Sequence, residues 1–297
     1  MTAAAKAVFR DYDQAALDRQ LNLRARWPEH PDYFARWARD SAAARARLAN
    51  SGGCRLDLAY GAAAAETLDL FAAAGDRPAP LLAFIHGGYW QALDKGDYSY
   101  MAPVFVDNGV AFASLNYSLA PDAKIGTMID QVRRALAWLY RNADDLGIDP
   151  ARIVVAGHSA GGHLAALAAA TDWAALAADL PADLLAGAVA ISGVYDLEPI
   201  RLSYHNKVLG IAAGEAAPWS PLHNLPHRAP PMVLAVGSEE TDEFLRQQAE
   251  YVTALRARGL AAEEVEMAGL NHFSAVDALA DANHALHAAV QQLLRAG

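Results

Sequence analysis

Five short, continuous apolar runs follow residue 80 and constrain the fold more than any other feature of the chain. They are Leu81–Ile85, Val110–Leu115, Ile153–Ala156, Leu185–Ile191 and Met232–Val236. Runs of this length predict strands that are buried on both faces. The segments between and after them carry apolar residues at helical spacing, in residues 125–142, 160–170, 242–258 and 276–295. Strands that alternate with helices predict a mostly parallel central sheet with helices on both faces.

The first 80 residues follow a different pattern. Residues 54–60 and 66–71 alternate apolar and polar side chains, which predicts two antiparallel strands at one edge of the sheet. Residues 13–49 have helical spacing that is interrupted at Trp27-Pro28 and His30-Pro31, which predicts two N-terminal helices around those prolines. The sequence therefore predicts an α/β fold with antiparallel N-terminal edge strands.

The domain organisation follows from what separates these elements. No internal repeat and no long linker divides the chain, so we expect a single α/β domain over residues 1–297. Two segments, 171–186 and 196–230, are less regular than the rest. They are either cap elements over the carboxyl edge of the sheet or plain surface connections, and the sequence leaves both interpretations open.

Composition excludes several classes of protein. Hydrophobic residues make up 54% of the chain, which supplies a large core. The 24 basic residues against 34 acidic ones give a net charge of −10, which argues against nucleic-acid and anionic-membrane partners. The single cysteine, Cys54, excludes an intrachain disulfide and a Cys-rich metal site. We expect a small-molecule substrate and neither a cofactor nor a metal.

The N-terminus and the longest apolar stretches bear on localisation. Residues 1–10 lack the apolar core of a signal peptide, and no stretch reaches the ~20 residues that a membrane span needs. We therefore expect a cytoplasmic protein. A homodimer is compatible with the sequence, which does not fix the oligomeric state.

The motif that carries chemistry lies between the run Ile153–Ala156 and an Ala/Leu-rich helical segment. It reads Gly157-His158-Ser159-Ala160-Gly161, a G-x-S-x-G in a strand–turn–helix context. The two glycines let the strand and the helix approach each other without a side-chain clash. The serine hydroxyl is then held at the top of the sheet, beside a helix N-terminus that favours negative charge. Ser159 is the predicted nucleophile, and an ordinary glycine-rich turn is the alternative.

A second glycine motif follows the run Leu81–Ile85 and reads His86-Gly87-Gly88-Tyr89-Trp90. Glycines after a strand allow backbone N–H groups to point at a small anion. Gly87 and Gly88, together with the N–H of Ala160, are therefore predicted to form an oxyanion hole. His86 is expected to be structural, through hydrogen bonds within this loop.

A serine nucleophile also needs an acid and a base, which follow it in that chain order. His272 lies between strand-like residues 264–267 and the last helix, where a base can reach Ser159. The loop after the last apolar run offers four carboxylates, at Glu239, Glu240, Asp242 and Glu243. Asp242 and Glu243 fall in the first turn of a predicted helix, where the helix dipole alone favours them. Glu240 is therefore the predicted acid, with Asp242 as the alternative.

These motifs resemble those of the α/β-hydrolase superfamily and, more narrowly, of the kynurenine formamidase (arylformamidase) group. The resemblance extends from about residue 11 to 290, and it includes the Tyr-Trp ending of the oxyanion motif and the stretch from Ser192 to Leu197. Glu240 stands where the animal enzymes have aspartate. The resemblance implies acyl transfer to water by a triad of Ser159, His272 and Glu240.

The aromatic residues of the second motif bear on the substrate. The bulk of Tyr89 and Trp90 is expected to narrow the acyl side of the site, so that a formyl or acetyl group fits. Their aromatic wall suits a planar leaving group, as in N-formylkynurenine. In the alternative interpretation, Trp90 packs in the core and Tyr89 alone reaches the pocket. His158 and Tyr195 are the other expected substrate-binding residues.

Three functional hypotheses follow from these residues. The first is hydrolysis of N-formylkynurenine or a related N-formyl or N-acyl aromatic amine. The second is a small-acyl carboxylesterase of broad specificity, which differs from the first in the leaving group. The third is a non-catalytic hydrolase fold that binds a ligand or a partner, and the presence of both Ser159 and His272 argues against it.

Overall fold

Eight strands form one sheet in the part of the chain that this computed structural model describes, which is residues 6–50, 52–75 and 78–296. They are β1 (Cys54–Ala59), β2 (Thr67–Phe71), β3 (Ala79–Ile85), β4 (Ala111–Leu115), β5 (Ile148–His158), β6 (Gly187–Ile191), β7 (Met232–Gly237) and β8 (Ala262–Met267). Their order across the sheet is β1-β2-β4-β3-β5-β6-β7-β8. β1 pairs with β2, and β2 with β4, in antiparallel fashion, whereas the other neighbours are parallel. The predicted fold class, with its antiparallel edge, is confirmed.

The strand order explains where a site can form. β3 and β5 are parallel neighbours at the centre of the sheet, and Ile85 pairs with Gly157 at their carboxyl ends. Both strands are buried in these last residues, as their apolar sequence predicts. The two glycine motifs therefore leave the sheet side by side at its carboxyl edge, which is where α/β sheets bind ligands.

Helices connect the strands and cover the sheet. They are α1 (Gln14–Leu21), α2 (Leu23–Arg26), α3 (His30–Asn50), α4 (Ala102–Val106), α5 (Ile125–Arg141), α6 (Ala143–Leu146), α7 (Ala160–Ala169), α8 (Trp173–Leu176), α9 (Glu198–Leu202), α10 (Asn206–Leu209), α11 (Asp242–Ala257) and α12 (Ala285–Arg295). Short 3-10 helices lie at Lys95–Met101, Ala217–Trp219, Pro221–His223 and Ala275–Leu279. Among the described residues, no helix combines the length and hydropathy needed to cross a bilayer.

Two helical predictions differ from the structure. The N-terminal segment forms three helices rather than two, because the chain leaves helical geometry at Asn22, whose side chain accepts a hydrogen bond from the Ala25 N–H at 3.2 Å and caps α2. The single helix predicted over residues 276–295 is divided into a 3-10 helix and α12. His284 marks the division, since its side chain accepts a hydrogen bond from the N–H of Leu286 at 3.0 Å and so caps α12.

α3 is anchored beside the loop that carries His272. Asp277 accepts hydrogen bonds from Trp37 Nε1 at 2.9 Å and from the Tyr100 hydroxyl at 2.8 Å, and it forms an ion pair with Arg36 at 2.5 Å. These contacts join α3 to the two 3-10 helices at Lys95–Met101 and Ala275–Leu279. They hold the N-terminal helices close to the carboxyl edge of the sheet.

A buried ion pair fixes the segment that follows the second glycine motif. Lys95 is 6% exposed, and its Nζ donates to Asp69 and to Asp57, each at 2.7 Å. Asp69 is buried on β2, whereas Asp57 is exposed on β1. The carbonyl of Lys95 also accepts a hydrogen bond from Ser114 Oγ on β4 at 2.8 Å. The start of the Lys95–Met101 helix is thereby tied to the antiparallel edge of the sheet.

Asp69→Ala is expected to lower the free energy of unfolding by about 1–3 kcal/mol, because the exposed Asp57 is then the one carboxylate that still pairs with the buried Lys95 ammonium. Urea unfolding followed by circular dichroism measures this loss. The control is Asp107→Ala, which breaks an exposed ion pair with Arg47 and should cost less than about 1 kcal/mol. Equal losses in the two variants would contradict a structural role for the buried pair.

Candidate active site

Ser159 occupies the sharp turn between β5 and α7. Its φ of 57° and ψ of −117° are strained for a residue that has a side chain. Close backbone contacts hold this turn. A Cβ on Gly157 would lie 2.1 Å from the carbonyl oxygen of Gly161, and one on Gly161 would lie 2.0 Å from that of Ile85. Only glycine fits at these two positions, so the strand, the turn and the helix meet as the motif predicts.

The second glycine motif lies directly against this turn. A Cβ on Gly87 would approach the Cβ of Ser159 at 3.1 Å, and one on Gly88, whose φ is 105°, would overlap the carbonyl oxygen of Ala92 at 2.1 Å. Within the described ranges, the N–H groups of Gly88 and Ala160 make no hydrogen bond. Ala160 is the first residue of α7, whose leading N–H groups have no partner within the helix. Free backbone donors therefore lie close to Ser159.

His272 follows β8 and contacts a carboxylate from the loop after β7. Its Nδ1 lies 2.7 Å from Oε2 of Glu240, and the two side chains are 4% and 0% exposed. The other carboxylate oxygen, Oε1, accepts a hydrogen bond from Ser192 Oγ. The ring of His272 also packs edge-on against Phe244, with ring centroids 4.8 Å apart. Both oxygens of Glu240 are thus engaged, and the imidazole is fixed through Nδ1.

The alternative carboxylates have other partners. α11 begins at Asp242, so the predicted start of this helix is confirmed. The Asp242 carboxylate is exposed and accepts a hydrogen bond from Gln20 Nε2 at 3.3 Å. Glu243 is buried and pairs with Arg246 at 2.5 Å. Of the four carboxylates considered, all of which the structure describes, Glu240 is the one that contacts His272.

Two further histidines support the site. His158 Nε2 lies 2.9 Å from the carbonyl oxygen of His272, so the loop that carries His272 is hydrogen-bonded to the serine turn. Burial, and secondly the neighbouring His272, lower the pKa of His158 well below its usual value, so its ring is neutral. His86 lies 2.9 Å from the Gly87 carbonyl oxygen through Nδ1 and 3.0 Å from Asn116 Oδ1 through Nε2. This agrees with the structural role expected of His86.

Ser159 and His272 line one cavity of about 410 Å³. Its wall is largely aromatic, with Phe34, Trp37, Tyr89, Tyr98, Tyr204 and Phe273. The ring of Tyr89 stacks on His205 with centroids 3.8 Å apart, and its hydroxyl donates to the Leu21 carbonyl at 2.8 Å. Burial raises the pKa of Tyr89 well above its usual value, so the hydroxyl stays protonated. A cavity of this size and composition suits a small aromatic ligand.

The structure corrects the substrate-binding prediction for Trp90 and Tyr195, which lie outside this lining. Trp90 is 0% exposed and packs edge-on against His163, with ring centroids 5.1 Å apart. Tyr195 is equally buried and stacks on Tyr251 at 4.4 Å. Both side chains belong to the hydrophobic core of the described part of the chain. Tyr89 and His158 do line it.

Part of the cavity lining comes from residues that the sequence motifs did not indicate. Asn22, Leu23 and Arg24 around α2 line it together with Phe34 and Trp37 of α3. The sequence signal for them was the spacing of Phe34 and Trp37, which lie three residues apart and therefore on one face of a helix. The irregular segment 196–230 contributes Tyr204 and His205, whereas no lining residue comes from 171–186.

Ser192 was also missed as a site residue. It follows β6 and has a left-handed φ of 50°, and its N–H donates to the Ala235 carbonyl at 2.7 Å. The available signal was its position at the carboxyl end of a parallel strand, where functional residues of α/β sheets gather.

A serine on a strained strand-to-helix turn, with loops from the same edge of the sheet beside it, is the architecture of the α/β-hydrolase class.

The BD-FAE family model matches residues 68–243 of the chain. Kynurenine formamidase of Danio rerio is 32% identical over 237 residues, which are 78% of each chain. Esterase LipQ of Mycobacterium tuberculosis is 39% identical over 149 residues, which are 48% of this chain and 35% of LipQ. A crystal structure of a candidate thioesterase from Silicibacter sp. TM1040 has a TM-score of 0.81 at 31% identity and covers 93% of this chain and 98% of its own.

The chain belongs to the BD-FAE family of α/β-hydrolases. Within that class it is a homologue of kynurenine formamidase. It is accordingly a hydrolase.

Proposed function

We propose that the protein is a serine hydrolase of the arylformamidase type, which removes a formyl or other small acyl group from an aromatic amine such as N-formylkynurenine. The observation that carries this proposal is the 2.7 Å contact between His272 Nδ1 and Glu240 Oε2, at a cavity that Ser159 shares. A carboxylate at Nδ1 fixes the tautomer whose Nε2 can act as a base.

The first half of the reaction transfers the acyl group to the enzyme. Ser159 Oγ attacks the carbonyl carbon while His272 Nε2 takes the hydroxyl proton, and Glu240 stabilises the imidazolium that forms. The backbone N–H groups of Gly87, Gly88 and Ala160 donate to the oxyanion of the tetrahedral intermediate. His272 then gives its proton to the amine nitrogen, the C–N bond breaks and the aromatic amine leaves.

The second half releases the acid. Water enters the position of the amine, and His272 takes one of its protons as the oxygen attacks the acyl-Ser159 ester. The ester bond breaks, Ser159 regains its proton from His272, and formate leaves when the acyl group is formyl. Protons and bonds balance over the two halves, and the net reaction is amide hydrolysis.

The aromatic wall of the cavity supports an aromatic leaving group. Phe34, Trp37 and Phe273 line the same cavity as Ser159, and stacking between aromatic rings contributes roughly 0.5–1.5 kcal/mol per pair. The name of the Danio rerio relative, kynurenine formamidase, supports the same choice.

A small-acyl carboxylesterase is the second candidate function. It is favoured by relatives that are named esterase and candidate thioesterase. The same nucleophile, base and oxyanion donors would serve it, so the two functions differ in the leaving group that the cavity accepts.

The two functions are separated by kcat/KM with N-formylkynurenine and with p-nitrophenyl acetate. The ester is intrinsically far more reactive than the amide. An arylformamidase should nevertheless show a kcat/KM for the amide that equals or exceeds that for the ester, because the cavity binds the aromatic amine in the transition state. Rapid ester hydrolysis with an amide rate more than about 100-fold lower would establish the carboxylesterase instead.

Ser159→Ala is expected to lower kcat by about 10⁴–10⁶, because the nucleophile and its base act as a unit. A fluorophosphonate probe should label the native protein at Ser159, and peptide mapping by mass spectrometry locates the adduct. The matched control is Ser118→Ala, a half-buried serine that accepts a hydrogen bond from Gln131 and does not line the cavity, and this variant should still be labelled at Ser159. An adduct on another serine would refute the proposed nucleophile.

Glu240→Gln is expected to lower kcat by about 10³–10⁴, because an amide cannot stabilise the imidazolium of His272 and can hold the wrong tautomer. Asp242→Asn, two residues away, should change kcat by less than about tenfold and cost ~0.3–1 kcal/mol of stability as a first-turn helix residue. Steady-state kinetics and urea unfolding on both variants provide the measurement. The reverse pattern would make Asp242 the acid.

A further inference from the structure

The cavity beside Ser159 carries one fixed charge in its lining, and that charge is positive. Among the lining residues, which all lie in the described ranges, Arg24 is the one arginine or lysine, and there is no Asp or Glu. The chain as a whole has a net charge of −10. The charge of the cavity lining is therefore opposite in sign to the net charge of the chain.

Two of the three histidines of the lining, His158 and His205, add no charge at neutral pH. Burial lowers the pKa of His205 to about 4, and burial together with His272 lowers that of His158 well below its usual value. Both rings are therefore neutral at pH 7. Glu240 pairs with His272 and is not part of the lining. An anionic group in the cavity would meet the Arg24 guanidinium and no carboxylate in the wall.

Arg24 is positioned by an aromatic ring rather than by a carboxylate. Its guanidinium carbon lies 5.7 Å from the centre of the Phe34 ring, and both residues line the cavity. In the part of the chain that the structure describes, no Asp or Glu forms an ion pair with it. A guanidinium stacked on a ring keeps its N–H groups free, and these match a carboxylate in a bidentate arrangement.

We infer that Arg24 binds a carboxylate that the substrate carries on its amine leaving group. This inference rests on the proposed function and narrows it: the preferred substrates are acylated aromatic amines that also carry a carboxylate. The acyl group would lie at Ser159, the aromatic ring among Phe34, Trp37 and Phe273, and the carboxylate at Arg24. N-formylkynurenine combines these three groups in one molecule.

The test compares N-formylkynurenine with its α-carboxamide, which keeps the ring and the formamide and removes the negative charge. The native protein should prefer the carboxylate by about 10–100-fold in kcat/KM, as expected for a hydrogen-bonded charge pair. Arg24→Gln should remove most of this preference by raising KM for the carboxylate, with kcat little changed. Added salt should reduce the preference of the native protein, because Arg24 is exposed.

Arg26→Gln is the matched control. Arg26 is on the same helix, is also exposed and also lies over an aromatic ring, that of Trp27 at 5.8 Å, but it does not line the cavity. This variant should keep the preference of the native protein within about twofold. A purely global effect of lost surface charge would act on both variants alike.

The outcomes separate the inference from the proposed function. If both formamides are hydrolysed without a charge preference, or if Arg24→Gln and Arg26→Gln act equally, the inference is wrong and the proposed function stands. If neither formamide is hydrolysed and esters are, the proposed function is wrong. The carboxylate site is then tested in the same variants with 4-acetoxybenzoate against 4-acetoxybenzamide, and equal rates would overturn it as well.

Discussion

The close approach of the backbone at the ends of β3 and β5 is the constraint on which the site depends. Gly161 lies against the carbonyl of Ile85, and Gly157 against the carbonyl of Gly161, with no room for a Cβ at either glycine. This packing forces Ser159 into a left-handed conformation. It also brings the free N–H of Ala160 and the loop of Gly88 to the same point at the sheet edge.

A buried carboxylate then links the loops of three neighbouring strands. Glu240 follows β7 and contacts Ser192 after β6 and His272 after β8. Burying a carboxylate away from solvent destabilises the fold unless both of its oxygens have hydrogen-bond or charged partners. Here one oxygen accepts from a hydroxyl and the other faces an imidazole nitrogen. The glutamate side chain is longer than an aspartate by one methylene, and this contact shows that the length is accommodated in the structure.

Much of this arrangement could be predicted because it is encoded locally. Buried strands have continuous apolar sequences, and the bounds of β3, β4, β6 and β7 agree with the predicted runs to within a few residues. The choice of Glu240 over Asp242 as the partner of His272 followed from where α11 begins. The division of residues 276–295 was missed because apolar spacing continues through both halves, while the cap at His284 depends on its own side-chain geometry.

The sequence by itself determined the strand-and-helix order and the two glycine motifs, because backbone conformation and steric exclusion depend on residues next to each other in the chain. Tertiary structure alone decided which side chains surround Ser159. Trp90 directly follows the oxyanion loop yet packs in the core, whereas Arg24 and Phe34 are distant in sequence and line the cavity. Their placement depends on how α3 docks through Asp277 against the loop of His272. Such packing between distant segments leaves no periodic signal in the sequence.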